Sequence, residues 1–393
     1  MTAIPNHDSG TAPIIKHFNS SPFAQRVQHL LEEWHVPGLS IAITQDKEIS
    51  SKGFGFATLD PKVPCTADTI FDIASSSKSL TAASVGLLVQ DDEKYSNVQW
   101  DAKMSDLLPE DFVMSEDSYT RDTRRCLLRH RIPEPRYCQE KSKTFALGKL
   151  QESPEAQGAG SIQTSVNNYI KWVRALMYHE GPIEKDLYEG LTRVRTFQDP
   201  EIESEDRHPL KSFTGYAAGL EVFYYRGYQV VGHDGLISGY GSRHFWRPEL
   251  DFGAVLLGNA EGAQYAIEGL AYELVDELLD IPQAQRTDWS ARAQESEERL
   301  KSEMLEPVAK KLRPDLEKPE PQKVPLSSYA GDYWNAGYKG LKVELTDYWD
   351  GVGENEAAEF EFENGRVVKM GLKLESDFED YIWFHRVGLR EED

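Results

Sequence analysis

Cysteine is scarce in this chain: 393 residues contain three, at Cys65, Cys126 and Cys138. An odd number without C-x-x-C spacing argues against a disulfide scaffold and against a structural zinc site, and it suits a reducing compartment. The zinc-protease sequence H-E-x-x-H, phosphate-binding glycine loops and the G-x-S-x-G nucleophile elbow are absent as well. The sequence therefore predicts no metal ion and no cofactor.

Positive charge and long apolar runs are also lacking. Lys and Arg number 43 against 66 Asp and Glu, which gives a formal net charge of −23. Such a field repels polyanions, so we expect neither a nucleic-acid partner nor an anionic membrane partner. The apolar runs are shorter than the roughly 18 residues that a membrane span requires. The first residues do not show a basic segment followed by an apolar run, so we expect no signal peptide and a cytoplasmic location.

Hydrophobic residues make up 39% of the chain and aromatic residues 11%, which is enough for a sizeable core. The length predicts two or three domains. Residues 1–20 are polar and punctuated by Pro and Gly, which indicates a loose arm. Apolar periodicity predicts helices over residues 25–33, 75–90, 162–178 and 266–279, and strands over 39–45, 49–60, 219–225, 228–235, 242–248 and 252–259.

The second half changes character after residue 285. Residues 286–325 combine a charged, helix-prone stretch with a Pro-rich linker. Residues 326–393 alternate apolar and polar positions, and Asn364-Gly365 is a strong two-residue hairpin signal. We therefore expect a main domain over residues 1–285, a linker over 286–325 and a small antiparallel β domain over 326–393.

Ser75 and Lys78 form the only Ser-x-x-Lys in the chain. Positions three apart share a helix face, so the amine can lie beside the hydroxyl. Beyond Lys78 the segment is apolar nearly all round, which predicts a buried helix. Burial lowers a lysine pKa and leaves an amine able to take the serine proton. The alternative interpretation is a helix N-cap of serines next to a surface lysine.

The surroundings of this pair resemble a known family. The segments FGFATLD, DTIFDIASSSKSLTA, GAGSIQTSVNNYIKWVRALM and VVGHDGLISGYGSRHFWRPELDFGAVLLGN are similar to the class C β-lactamase-related branch of the serine β-lactamase and penicillin-binding-protein group. The resemblance implies an α/β (α+β) fold with a transpeptidase-like antiparallel sheet flanked by helices. The segment YAGDYWNAGYKGLKVEL resembles the lipocalin-like, β-barrel-like C-terminal domain of some members.

The resemblance also implies roles for individual residues. Ser75 is the nucleophile and Lys78 its base, and His233-Asp234-Gly235 is the third motif, with His233 contacting a substrate carboxylate or assisting proton transfer. The backbone N–H groups of Ser75 and Leu236 form an oxyanion hole, with Gly235 in the substrate site. The alternative is that His233-Asp234-Gly235 is a turn between strands. The family usually has a small or hydroxyl residue where this chain has Asp234, whose negative charge disfavours anionic substrates.

The middle motif of the family, Tyr-x-Asn, is missing from any suitable place. The segment from 130 to 158 looks shortened, and Tyr137-Cys138-Gln139 is the nearest remnant, which makes Tyr137 the candidate for the catalytic tyrosine. Alternatively, the tyrosine region has been deleted.

These residues together predict a serine hydrolase or acyltransferase that acts on an ester, amide or lactam of a small molecule, as in secondary metabolism. A member that has lost acyl transfer and keeps the pocket for binding or another reaction is the rival hypothesis. A homo-oligomer is compatible with the sequence.

Overall fold

The computed structural model describes residues 12–102, 104–107, 136–139, 144–147, 157–198, 208–296, 298–299, 324–336, 339–343, 358–363, 366–372 and 381–387. A larger compact unit ends at Ser290, and a smaller unit contains the C-terminal residues from Ala291 onward.

The larger unit is built on an antiparallel sheet with the strand order β3-β2-β1-β13-β12-β11-β10-β9-β8. Two short pairs, β4 with β7 and β5 with β6, lie outside it. The strands are β1 Gly38–Gln45, β2 Glu48–Leu59, β3 Lys62–Pro64, β4 Phe71–Asp72, β5 Arg136–Gln139, β6 Thr144–Leu147, β7 Gln163–Thr164, β8 Thr196–Phe197, β9 Gly215–Tyr216, β10 Glu221–Tyr225, β11 Tyr228–Ile237, β12 Tyr240–Arg247 and β13 Phe252–Gly258.

Helices cover both faces of this sheet. The helices described in this unit are α1 Pro13–Phe18, α2 Ser21–Glu33, α3 Lys78–Gln90, α4 Met104–Leu107, α5 Val166–Tyr178, α6 Lys185–Thr192 and α7 Ala263–Leu278. The helix α5 packs on β13 and β1, and α7 packs on β12 and β13. Every residue of β1, β12 and β13 is buried, because side chains alternate between two apolar layers, one on each face. The expected antiparallel sheet flanked by helices is thus confirmed.

Two local expectations are wrong. The N-terminal arm is not loose over its second half, because α1 buries Ile14, Ile15 and Phe18 against the sheet core. The helix that carries Lys78 begins at that residue, after a 3₁₀ turn over Ala74–Ser77, and it is not buried all round. Val85 and Leu88 are 38% and 39% exposed.

The C-terminal unit contains a five-stranded sheet with the order β15-β14-β18-β17-β16. Its strands are β14 Gly331–Asn335, β15 Lys339–Val343, β16 Ala358–Glu363, β17 Arg366–Leu372 and β18 Ile382–Arg386. The strands β16 and β17, on either side of Asn364-Gly365, pair as the hairpin signal predicted. A small core of Tyr333, Val367, Met370 and Phe384 holds the sheet together. The lipocalin-like, barrel-like character of this unit, and the linker ending at 325, stay predictions.

Candidate active site

The turn that carries Ser75 is a 3₁₀ segment, Ala74–Ser77, between β4 and α3. Ala74 has a φ of +44°, a left-handed conformation that costs a non-glycine residue of the order of 1 kcal/mol or more. The Ala74 N–H donates a 2.8 Å hydrogen bond to the buried carboxylate of Asp72, which holds this conformation. Ser75, which follows the strained residue, is only half-buried, whereas Ala74 and Ser76 on either side of it are buried.

Ser75 and Lys78 are brought together by this turn. The Lys78 ammonium nitrogen, Nζ, lies 2.5 Å from the Ser75 Oγ, and both side chains are half-buried. Burial lowers the pKa of Lys78, because desolvation disfavours the ammonium ion. A neutral amine at hydrogen-bond distance can remove the hydroxyl proton as the oxygen attacks an electrophile.

The strand β11 passes directly beside this turn. It pairs with β12 from Val231 to Ile237, so His233-Asp234-Gly235 lies within a strand and the interpretation of these residues as a turn is wrong. A Cβ on Gly235 would overlap the Ile73 carbonyl oxygen and the Ser242 hydroxyl. Only glycine therefore lets β11 approach the residues that precede Ser75 so closely.

The turn, β11, β12 and α7 enclose a cleft of about 340 Å³. Its walls contain Ser75 on the turn and the predicted residues His233, Gly235 and Leu236 on β11. The remaining lining residues are Asp234, Ser242, Arg243, Gln264, Tyr265, Ile267 and Glu268. The structure thus brings four of the six predicted site residues into one cleft, with Lys78 bonded to Ser75.

His233 is buried and held at both ring nitrogens. Nδ1 lies 2.5 Å from the Asp234 carbonyl oxygen, and Nε2 lies 3.0 Å from the Tyr216 hydroxyl. Because a carbonyl oxygen only accepts, Nδ1 carries a proton, and Nε2 shares a hydrogen bond with the Tyr216 hydroxyl.

Asp234 is joined to Arg243 by a two-point ion pair. The Arg243 Nε and Nη2 atoms donate to the two carboxylate oxygens at 2.5 and 2.8 Å. Burial is the largest single cause and would lower the pKa of Arg243, but the ion pair with Asp234 and the other nearby groups, Glu268 among them, together outweigh it and leave that pKa raised. The extra negative charge expected at Asp234 is therefore neutralised by its neighbour.

The back of the turn is fixed by buried polar groups. The Ser76 hydroxyl donates to the His233 carbonyl at 3.0 Å, and the Ser242 hydroxyl donates to the Ile73 carbonyl at 2.7 Å. The Tyr169 hydroxyl donates to the Ser76 carbonyl at 2.9 Å, and it lies 2.9 Å from His244 Nδ1. Burial, with the charge of His233 as a second cause, lowers the pKa of His244 to about 3, so the ring is neutral.

The structure describes the backbone of the predicted tyrosine but not its side chain. Tyr137 lies in β5, opposite Ala146 of β6, but its side chain is outside the described part of the structure. The sequence Tyr95-Ser96-Asn97 has the Tyr-x-Asn pattern, yet it closely follows α3, and Tyr95 is an exposed side chain that does not line the cleft. The role of Tyr137 stays a prediction.

Sequence reasoning missed Tyr169, Tyr216 and Arg243. The Arg243 contact had a signal: Ser238-Gly239 is a two-residue hairpin connection, which fixes the register and sets Asp234 opposite Arg243. The contacts of Tyr169 had no sequence signal, because in the sequence this residue looks like any other apolar position of the amphipathic helix α5.

Two negative findings apply to the described residues alone. None of their helices is long and apolar enough to cross a membrane. Among the same residues, no group of three His, Cys, Asp or Glu side chains could hold a metal ion.

Comparisons with known proteins agree with this fold. Residues 23–147 match the Beta-lactamase family model. An unguisins hydrolase of Aspergillus campestris is 25% identical over 84% of this chain and 77% of its own length. A mitochondrial serine beta-lactamase-like protein of Bos taurus is 34% identical over 19% of this chain and 14% of its own length.

A solved structure shares the fold. The octameric penicillin-binding protein homologue from Pyrococcus abyssi superimposes with a TM-score of 0.51 at 15% identity, over 92% of this chain and 99% of its own. The match to the Beta-lactamase family model, and the names of the relatives that align with most of this chain, indicate a hydrolase of the β-lactamase-related serine type. These matches support the resemblance of the chain to the serine β-lactamase-like family.

Proposed function

We propose that this protein is a serine hydrolase that forms an acyl-enzyme on Ser75, with Lys78 as the base. The observation that carries the proposal is the 2.5 Å contact between Lys78 Nζ and Ser75 Oγ at the edge of a cleft. The neutral amine takes the hydroxyl proton while Oγ bonds to the carbonyl carbon. The leaving group then departs with a proton, and water releases the acyl group in a second cycle.

The oxyanion of the tetrahedral intermediate needs fixed donors. The backbone N–H groups of Ser75 and Leu236 are the proposed pair, and the close approach of β11 at Gly235 supports this pairing. One such donor contributes a factor of about 10²–10³ to kcat in enzymes that form acyl intermediates. His233 and Tyr137 are proposed to assist proton transfer to the leaving group.

The proposed substrate is an ester, amide or lactam of a small molecule. The 340 Å³ cleft lies within the range of about 300–1,000 Å³ that small-molecule sites occupy. The hydrolase names of the relatives along most of the chain favour water as the final acceptor. A cytoplasmic location stays part of the proposal.

The proposal is tested by labelling the full chain with a fluorophosphonate and locating the adduct by mass spectrometry. We expect one adduct, on Ser75, together with hydrolysis of a chromogenic ester. In Ser75→Ala both should be lost, with ester turnover falling by a factor of about 10³ or more. Ser77→Ala is the matched control, since it removes a neighbouring hydroxyl that is buried away from the cleft.

The rival is a family member without acyl transfer, and the missing Tyr-x-Asn motif favours it. A well-folded protein that takes up no label, and whose ligand binding is unchanged in Ser75→Ala, would support this rival and reject the acyl-enzyme.

A further inference from the structure

The two basic side chains of the cleft wall, Arg243 and His233, already have hydrogen-bond partners within the protein. Arg243 contributes the guanidinium, whose side chain is 8% exposed, and Asp234 covers it with two hydrogen bonds. His233 offers no free N–H, because the Asp234 carbonyl accepts from Nδ1 and the Tyr216 hydroxyl occupies Nε2. A carboxylate on a substrate therefore meets no free cation at these positions.

The remaining charge of the cleft wall is negative. Asp234 has a side chain that is 51% exposed, and Glu268 on α7 lines the same cleft. Two carboxylates thus face one guanidinium. A substrate carboxylate entering here would lose its hydration and be repelled, without a charge-assisted hydrogen bond in return.

We propose that Asp234 is a specificity-determining residue: by occupying Arg243, it excludes carboxylate-bearing substrates and leaves the cleft to acyl groups that are neutral or cationic. This inference rests on the proposed hydrolase function and names the chemical class of its substrate. The geometry follows from the hairpin register, which sets Asp234 directly opposite Arg243 on neighbouring strands. Removing the charge at position 234 frees a buried guanidinium that is already aligned for a two-point contact with a carboxylate.

The test compares two esters with the same leaving group. These are p-nitrophenyl hexanoate and mono-p-nitrophenyl adipate, which differ by a terminal carboxylate. The readout is the ratio of kcat/KM for adipate to that for hexanoate, so a general loss of activity in a variant cancels. The wild type should favour hexanoate. In Asp234→Asn the ratio should rise by about tenfold or more, the size of one charge-assisted contact at about 1.4 kcal/mol per factor of ten.

Two controls separate a freed cation from a change of net charge. Glu268→Gln removes one negative charge from the same cleft and should raise the ratio by only about twofold, as a partly exposed charge is screened. The double variant Asp234→Asn/Arg243→Gln should return the ratio to the wild-type value. The proposal is overturned if the adipate-to-hexanoate ratio is the same in Asp234→Asn as in Glu268→Gln. It is also overturned if the raised ratio of Asp234→Asn persists in the double variant.

A binding measurement keeps the result independent of turnover. Calorimetry with benzoate and benzamide requires no reaction at Ser75, and thermal melting confirms that each variant is folded. Among the wild type and these variants, we expect only Asp234→Asn to bind benzoate better than benzamide. Absence of ester hydrolysis in every variant would reject the proposed function, whereas equal benzoate binding in the wild type and Asp234→Asn would reject the selectivity.

Discussion

Ser75, Ser76 and Ser77 are identical in chemistry and adjacent in sequence, yet the structure gives them three different environments. A 3₁₀ turn has three residues per turn, so consecutive side chains point about 120° apart. Ser75 is half-buried and bonded to the Lys78 amine. Ser76 is fully buried and tied to β11, and the fully buried Ser77 hydroxyl has no hydrogen-bond partner in the part of the chain that the structure describes.

The comparison teaches that the environment, and not the residue type, selects a nucleophile. The Ser76 hydroxyl donates a hydrogen bond to the His233 carbonyl oxygen, which cannot act as a base at neutral pH. Ser75 faces a group that can accept the proton. Three substitutions should therefore separate the chemical, anchoring and inert positions of this turn.

The largest effect in this set is expected at the partner of Ser75. Lys78→Met keeps the length of the side chain and removes the amine, so Ser75 loses its base. We expect kcat/KM for a chromogenic ester to fall by a factor of about 10²–10⁴. Lys78→Arg keeps the positive charge, but the guanidinium does not release its proton. We therefore expect kcat/KM to fall as far in Lys78→Arg as in Lys78→Met.

The pH dependence sharpens this prediction. Burial lowers the pKa of Lys78, and only the neutral amine is active. The wild-type kcat/KM should therefore rise with pH, with the midpoint of the rise below about pH 10.4, the ordinary pKa of lysine. The unfolded chain binds this proton more tightly than the native state, so the contribution of Lys78 to stability also decreases as pH falls. A wild-type profile whose rise persists in Lys78→Met would contradict the assignment.

A smaller effect, on stability, is expected at the anchoring serine. Ser76→Ala removes the donor to the His233 carbonyl inside a fully buried site. The free energy of unfolding should fall by about 1–3 kcal/mol, the cost of leaving a buried acceptor without its partner. Urea denaturation measures this loss. Turnover should fall less than in Lys78→Met, and a variant as stable as the wild type would show that the hydroxyl does not anchor the turn.

The parts that the sequence predicted are those set by local pattern. Short apolar segments separated by turns predicted the central strands, and the Ser-x-x-Lys spacing predicted that Lys78 lies beside Ser75. The roles of Tyr169 and Tyr216 were not predicted, because they come from the packing of α5 and β9 against residues that are distant in sequence. The helix after Lys78 was predicted to be more buried than it is, since composition does not show which face meets another element.

The smallest effect is expected at Ser77. Its buried hydroxyl forms no hydrogen bond within the described residues, so Ser77→Ala removes a polar group that has already lost its water. The free energy of unfolding should stay unchanged or rise by up to about 1 kcal/mol, and turnover should remain within about twofold of the wild type. Urea denaturation and ester hydrolysis on the same preparation measure both. A loss of stability as large as that in Ser76→Ala would mean that the two hydroxyls are anchored alike, and the distinction drawn along this turn would be wrong.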